Sequence, residues 1–256
     1  METLFVPERW DRIVELLDRQ GRATVEELAG MLSVSTATIR RDLREMQDRG
    51  VITRTRGGAI RGGQVGFDRS LAESRELLVS EKEKIGKLAA SLVESGDTVM
   101  LDGGFTTYQV ARHIAAGSVT IVTNALDIVS AVITKPDVEV VVVGGMLRMH
   151  GGTTVGPTAE RELSQLMADK AIIGINAISA THGLSTPNPL VAEIKQVMLR
   201  QSREVIVVAD HSKFGAVALC EVAPIDAIDK IVTDAGATVE QIKPFLDAGI
   251  EVLIAK

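Results

Sequence analysis

Residues 35–49 read Ser-Thr-Ala-Thr-Ile-Arg-Arg-Asp-Leu-Arg-Glu-Met-Gln-Asp-Arg, followed by Gly50. Ile39, Leu43 and Met46 fall at helical spacing on one face, which predicts a helix from about Thr36 to Arg49 closed by Gly50. The other faces carry Ser35, Thr36, Thr38, Arg40, Arg41 and Arg44. A helix with one apolar stripe, hydroxyls at its start and three arginines along it suits the major groove of a duplex. There hydroxyls and backbone N–H groups meet phosphates, and an arginine pairs with guanine O6 and N7.

The flanks fit that reading. Upstream, residues 8–20 space Ile13, Val14, Leu16 and Leu17 as the apolar stripe of a first helix ended by Gly21. Thr24 with Glu27 forms a capping box for a second helix, whose buried side is expected from Leu28, Met31 and Leu32. Ser33-Val34-Ser35 makes the turn between the second and third helices. Downstream, residues 51–61 alternate apolar and basic residues about a Gly57-Gly58 turn, the pattern of a β-hairpin wing. Its Arg54 and Arg56 are expected over the DNA backbone or the minor groove, where contacts add salt-dependent affinity without sequence information. Asp42 and Glu45 read as helix-surface or intradomain partners. A solvated arginine-rich helix is the bland alternative, and the helix, turn, helix and basic wing together argue against it.

The arrangement Ser35-x-x-Thr38-Ile39-Arg40-Arg41-Asp42-Leu43, with Arg12 and the apolar helix before it and Gly50-Val-Ile52 and Gly57-Gly58-Ala59 after it, resembles the DNA-binding signature of the DeoR family of bacterial regulators. The resemblance spans nearly the whole N-terminal region. It implies a winged helix-turn-helix over residues 1–61 that binds a double-stranded operator.

Charge is distributed to match. The 256 residues carry a formal net charge of −6, yet Arg40, Arg41, Arg44, Arg49, Arg54, Arg56 and Arg61 outnumber Asp42, Glu45 and Asp48 between positions 33 and 66. Beyond residue 66 there are 17 basic and 24 acidic residues. A basic segment on an acidic body is a nucleic-acid footprint that net charge alone hides. A single cysteine, Cys220, excludes an intrachain disulfide and a cysteine metal cluster. No secretory signal is visible, and the apolar runs are too short to span a bilayer, so a cytoplasmic protein without membrane contact is expected.

Residues 62–66, Gly-Gly-Gln-Val-Gly, open a linker taken as 62–74. From about residue 75 to 256 the texture changes. Ser80 and Glu83 are expected to cap a helix carrying Ile85, Leu88, Ala89 and Leu92. Val- and Ile-rich runs at 98–101, 119–123, 138–143, 171–175, 205–209, 230–233 and 250–254 then alternate with helical stretches. Aromatics make up only 3% of the chain. The pattern predicts an α/β domain with a mostly parallel sheet covered by helices on both faces.

In such a fold, ligands lie beyond the carboxyl ends of the strands. Polar residues gather there. Asp102-Gly-Gly104-Phe-Thr106-Thr107 precedes a helix expected over 107–114, whose N-terminus favours an anion. Thr123-Asn124 ends the next strand, and Gly144-Gly145-Met-Leu-Arg148 leads into a glycine-rich loop, 151–156, where Arg148 can meet a phosphate. Asp169-Lys170, Asn176, the 183–189 segment, Glu193, Lys195, and Asp210-His-Ser-Lys213 follow. These stretches resemble the DeoR-family effector domain, which is similar in fold to ribose-5-phosphate isomerase. The resemblance implies a phosphorylated sugar or related effector, with phosphate-facing groups on Gly104, Thr106 and Thr107. It implies supporting contacts from Thr123, Asn124, Arg148, Glu193 and Lys213, and Asp102 at its strand end is expected to join them.

A rival reading is a sugar-phosphate isomerase carrying a DNA-binding appendage. Proton transfer between sugar carbons needs a base with converging acids. Isomerases of this fold have an acidic cluster after a central strand, whereas residues 174–179 here, Gly-Ile-Asn-Ala-Ile-Ser, hold no carboxylate. His113, His150, His182 and His211 are scattered without ligand spacing, which argues against a metal-dependent regulator. The expectation is therefore no enzyme, no cofactor and no metal. It is a homo-oligomer, dimer or tetramer, matching a symmetric operator. Repression of a carbohydrate operon is implied, with activation by the same DNA-binding domain as the alternative.

Overall fold

In the computed structural model, residues 5–20, 22–48, 51–55, 57–61, 75 and 77–256 are described. Arg49, Gly50, Arg56 and the linker expected over 62–74 lie outside the described residues. The chain divides into two units, Met1–Val65 and Gly66–Lys256.

The N-terminal unit runs α1 (Val6–Gln20), β1 (Arg22–Thr24), α2 (Val25–Leu32), α3 (Thr36–Asp48), β2 (Ile52–Thr55) and β3 (Gly58–Arg61). Ile13, Leu17, Leu28, Ile39, Leu43, Met46 and Ile52 are fully buried together between the three helices and the small sheet. The Thr24–Glu27 capping box forms as read. The Glu27 amide donates to Thr24 Oγ1 at 3.2 Å, and the Thr24 amide donates to Glu27 Oε2 at 2.7 Å.

Two expectations need correction. Met31 is exposed rather than buried. At about 100° per residue, Val25, Leu28, Ala29 and Leu32 define the inner face of α2, and Met31 falls off it. The wing also differs. Gly58 is a strand residue, paired antiparallel with Thr55 on one side and Thr24 on the other. The sheet order is β1-β3-β2, so the wing has a third strand that a three-residue segment does not announce. A Cβ on Gly58 would sit 2.1 Å from the Ala23 carbonyl oxygen, and Gly57 adopts φ +90° at the turn. Both glycines are therefore required, each for a different reason.

The C-terminal unit contains α4 (Val79–Ala90), β4 (Thr98–Leu101), α5 (Phe105–His113), β5 (Val119–Thr123), α6 (Leu126–Val132), β6 (Val138–Val142), β7 (Met146–Arg148), β8 (Thr153–Val155) and α7 (Pro157–Leu163). It continues with β9 (Ala168–Gly174), β10 (Ala177–Ser179), β11 (Gly183–Thr186), α8 (Pro189–Arg200), β12 (Ser202–Val208), β13 (Cys220–Ala223), β14 (Lys230–Asp234), α9 (Val239–Asp247) and β15 (Glu251–Ala255). All seven strands read from the sequence enter one sheet, in the order β15-β14-β12-β9-β4-β5-β6, and every pairing is parallel.

Helices cover both faces of that sheet except at its β6 edge, where Val141 and Val142 are exposed, and this cover is why its strands are continuously apolar rather than alternating. Ile172, Ile206 and Val232 face α4, α5 and α6. Ala171, Ile173, Val207 and Ile231 face α7, α8 and α9. Burying these residues supplies most of the fold's stability, at about 25 cal/mol per Å² of apolar surface.

Departures from expectation occur outside the sheet. The cap read at Ser80 and Glu83 is not formed; α4 starts at Val79, after a left-handed Leu78 with φ 49° and without a side-chain cap. The helix expected over 107–114 begins at Phe105. The glycine-rich segment 151–156 is not all loop, because β8 pairs with β7 as a two-stranded ribbon. A small antiparallel sheet, β10-β11-β13, flanks the main one.

Candidate functional sites: an arginine-bearing helix and a cationic cleft

On α3, Ser35 acts as the cap. Its Oγ accepts from the Thr38 amide at 3.0 Å and lies 2.9 Å from Thr38 Oγ1. Ser35, Arg40, Arg41 and Arg44 are exposed, and Thr36 and Thr38 are half-buried. Arg40 is 3.9 Å from Glu26 of α2, a solvent-screened contact worth little. Arg54 is exposed on β2, and its amide donates to Gln47 Oε1 at 3.2 Å, tying wing to helix. Arg56 lies outside the described residues.

Asp42 is not a surface acid. It is 1% exposed and accepts from Arg9 of α1, whose Nη2 donates at 2.9 Å and whose Nε also contacts it. Position 42 lies three residues beyond Ile39 and four before Met46, so it must face inward. The pair fixes α3 against α1. Sequence reasoning overlooked Arg9, although an arginine early in the first helix and an aspartate on the inner face of the third were both visible.

In the C-terminal unit the strand ends build a cleft of about 140 Å³, lined by residues that include Asp102, Gly104, Thr106, Thr107, Asn124, Arg148 and Lys213. Asp102 follows β4 and Asn124 follows β5, while Gly174 ends β9 and Asn176 lies just beyond it. This is the location that a parallel sheet dictates. A Cβ on Gly103 would sit 2.2 Å from the Thr153 methyl, so the bare backbone lets β8 close over the strand ends.

Of the residues read as effector contacts, Thr106 lines the cleft half-exposed. Thr107 is fully buried, and its hydroxyl donates to the Asp102 carbonyl at 2.8 Å and the Gly104 carbonyl at 3.0 Å, so it braces the loop. Asp102 is likewise held by protein. Its Oδ1 accepts from the Gly174 amide at 2.9 Å, and its Oδ2 contacts Lys195 Nζ. Burial pushes its carboxyl above the usual range against the pull of the Lys195 ammonium. Asn124 Nδ2 donates to the Thr154 carbonyl at 2.7 Å, joining β5 to the ribbon.

Two residues do not reach the cleft. Thr123 is buried with its hydroxyl accepting from the Ala125 amide at 3.1 Å. Glu193 is on the wrong side of α8, since the cleft takes Val191, Ile194 and Lys195 and position 193 lies about opposite them at 100° per residue. It sits by Glu160 of α7, where partial burial and this neighbour raise the Glu160 carboxyl. His150 and His211 do not line the cleft either; His211 Nδ1 lies 2.8 Å from Asp234 Oδ2.

The cleft also contains residues to which the sequence assigns no role. Asn176, Lys195 and Thr186 of the 183–189 segment, read only as polar stretches at the strand ends, all line it, and the Thr186 hydroxyl donates to Asn176 Oδ1 at 2.8 Å. Lys82 of α4 escapes sequence reasoning because nothing separates it from Lys84 and Lys87. It is 4% exposed, with its Nζ 5.9 Å from the Phe105 ring centroid. Burial works against ionisation of Asp210, yet Lys213, Lys82 and the Ser212 hydroxyl outweigh it and hold that carboxyl below its usual range.

Four cations, Lys82, Arg148, Lys195 and Lys213, thus line the cleft. Among the described residues its one lining carboxylate is Asp102, which has both oxygens engaged. The N-terminal turn of α5 opens onto the same space. Such a site attracts a multiply charged anion. Among the described residues it offers no spare carboxylate to act as a base, and no cluster of three metal-ligating side chains occurs.

Nearby Asp127, in the first turn of α6, is pushed up to about 6 by burial, opposed by the Ile128 amide and Arg75. A carboxyl with a raised folded-state pKa binds its proton more tightly in the folded protein. Its ionisation therefore costs stability as pH rises from about 4 through 6. Asp127→Asn is expected to add about 1–3 kcal/mol at pH 7.5 and almost nothing at pH 4, read from denaturant melts at both values. An equal effect at both pH values would refute the assignment.

Comparison with known proteins follows the same division. Residues 9–64 match the DeoR-like helix-turn-helix domain, and residues 78–235 match the DeoR C terminal sensor domain. The chain is 34% identical over 231 residues to the HTH-type transcriptional repressor GlcR of Bacillus subtilis, covering 90% of this chain and 89% of that one. It is 35% identical over 247 residues to the HTH-type transcriptional regulator GlpR of Haloferax volcanii, covering 96% of each. Among solved structures, ribose 5-phosphate isomerase A from Neisseria gonorrhoeae aligns over 53% of each chain with a TM-score of 0.39 and 14% identity. No described helix is long and apolar enough to cross a membrane. With a regulator's helix-turn-helix at one end and a regulator's sensor domain at the other, the chain belongs to the DeoR family of transcription regulators.

Proposed function

We propose that the protein is a cytoplasmic repressor of a carbohydrate catabolic operon, bound to its operator as a homo-oligomer and released by a phosphorylated sugar. The exposed face of α3 enters the major groove through Ser35, Thr36, Thr38, Arg40, Arg41 and Arg44, and the wing follows the backbone through Arg54 and Arg56. Residues 62–74 serve as the linker to the sensor domain. Lys82, Arg148 and Lys213 with the amides at Gly104, Thr106 and Thr107 receive the phosphate, and Asn124 and Asn176 read its sugar. The observation that carries this reading is a cleft lined by Lys82, Arg148, Lys195 and Lys213, onto which the first turn of α5 opens, in a chain whose other domain presents an arginine-bearing helix. The repressor relatives favour repression over activation.

Each arginine removed from a groove costs about 1–3 kcal/mol, so Arg40→Ala with Arg41→Ala is expected to weaken operator binding about 10²–10⁴-fold. The slope of log affinity against log salt should become shallower for each phosphate that is no longer neutralised. Unchanged affinity in a filter-binding titration removes α3 from the groove. For the sensor, Lys213→Ala is expected to leave binding of unliganded protein to the operator intact and to raise the sugar phosphate concentration needed for release at least tenfold. An unaltered dose response would clear the cleft of the role.

A further inference from the structure

The seven-stranded sheet has two edges, and they are built differently. At the β15 edge, Glu251 pairs with Lys230 at 3.5 Å, and Val252 and Leu253 are packed into the core. At the β6 edge the strand reads Val-Glu-Val-Val-Val, with its one charge near the start. Val141 and Val142 are 40% and 49% exposed, and the chain runs on into Met146 and Leu147 of the ribbon, 60% and 41% exposed. Met149 at the ribbon tip is 82% exposed. Leu126 is exposed nearby, its amide donating to the Gly152 carbonyl at 3.0 Å. A Val-rich edge without a lysine, proline or bulge is what isolated proteins avoid, because its unpaired N–H and C=O groups template another strand.

We infer that the β6 edge, with Met146, Leu147 and Met149 of the adjoining ribbon, is the surface on which two copies of this chain meet. Across a two-fold axis β6 pairs antiparallel with its own counterpart, and the sheet continues from one protomer into the next. The strand supplies its own complement, so a second copy satisfies the edge with no further partner. Leu126, Val141, Val142, Met146, Leu147 and Met149 are each 40–82% exposed along this edge, apolar surface of the kind that a standard interface of ~800 Å² per partner takes up. A monomer would leave this patch in water.

The inference rests on the repressor reading in one respect, that a symmetric operator needs two helix-turn-helix modules. It also deepens that reading. The β7–β8 ribbon bears Arg148 and Thr153 of the cleft together with Met146 and Leu147 of the edge. A phosphate held by Arg148 thus acts on the same short ribbon that contributes to the interface between copies. Ligand and dimer geometry thereby share one structural element, the β7–β8 ribbon.

The test is sedimentation equilibrium of the full chain without DNA, wild type against Val141→Lys with Met146→Lys. Both positions are exposed, so the sensor domain is expected to keep its melting temperature. Wild type should have at least the dimer mass at micromolar concentration, and the variant half that mass or less. A monomeric wild type, or a variant that keeps the wild-type mass, overturns the inference. Should the variant fail to fold, hydrogen exchange of wild type decides. Slow exchange of β6 amides that disappears on dilution supports the interface, and fast exchange at every concentration overturns it. Because DNA is absent, a protein that dimerises through β6 and ignores its operator would refute the repressor reading and leave the interface standing.

Discussion

Asp42→Ala is expected to unfold the N-terminal domain and abolish operator binding while the C-terminal domain melts at its usual temperature. The substitution leaves the Arg9 guanidinium buried without its carboxylate. Removing one partner of a buried ion pair costs about 3–5 kcal/mol. A core drawn from some sixty residues rarely supplies more than about 3–5 kcal/mol in total, so the penalty is comparable to the whole. The operator would then be released without any DNA-facing residue of α3 having changed. Calorimetry resolves the outcome, because the two units are expected to give separate transitions. Arg9→Met combined with Asp42→Leu should recover much of the stability, since apolar residues of similar volume replace a buried pair at little cost. A first transition unmoved by Asp42→Ala would show that the pair does not hold the helix.

The second large effect is expected in the other domain. Lys195→Ala removes the ammonium that neutralises Asp102 and donates to the Gly174 carbonyl at 2.8 Å. Asp102 then remains at the junction of β4 and β9 with burial opposing its charge. The penalty is again about 3–5 kcal/mol. In a domain of this size each kcal/mol shifts the midpoint by about 2–4 °C, so a fall of about 6–20 °C in the second transition is expected. Asp102→Asn beside Lys195→Met should restore part of it. The double variant gives the coupling directly, which single substitutions cannot. A Lys195→Ala domain within about 2 °C of wild type would contradict the pairing.

Much of this molecule is legible in its sequence, and the reasons are physical. The seven parallel strands stand out because a sheet covered on both faces permits only apolar runs, and the seven runs at 98–101, 119–123 and onward had no competing helical reading. The arginines of α3 stand out because Ile39, Leu43 and Met46 claim the inner face and leave them the outer ones. The strand-end loops announce the cleft by position alone.

What the sequence withheld was pairing over long distances. The Arg9–Asp42 pair spans 33 residues and the Lys195–Asp102 pair 93, and nothing local marks either. Lys82 reaches the cleft because α4 crosses α5, a packing choice no motif records. Glu193 received its role from the resemblance alone, and helical phase sets it opposite Lys195, away from the cleft lining. Strands of three residues, β1, β7 and β8, are too short to show a period. The capping box at Thr24 was readable and the supposed one at Ser80 was not, because Leu78 takes the left-handed turn there instead.

One competition experiment tests the repressor reading most directly. The full chain at modest ionic strength is bound to a labelled duplex from its own upstream region and challenged with scrambled duplex, with and without a panel of sugar phosphates. The expected result is a preference of about 10³-fold or more for its own region, weakened by at least one member of the panel and not by inorganic sulfate. Equal affinity for the native and scrambled duplexes would contradict it.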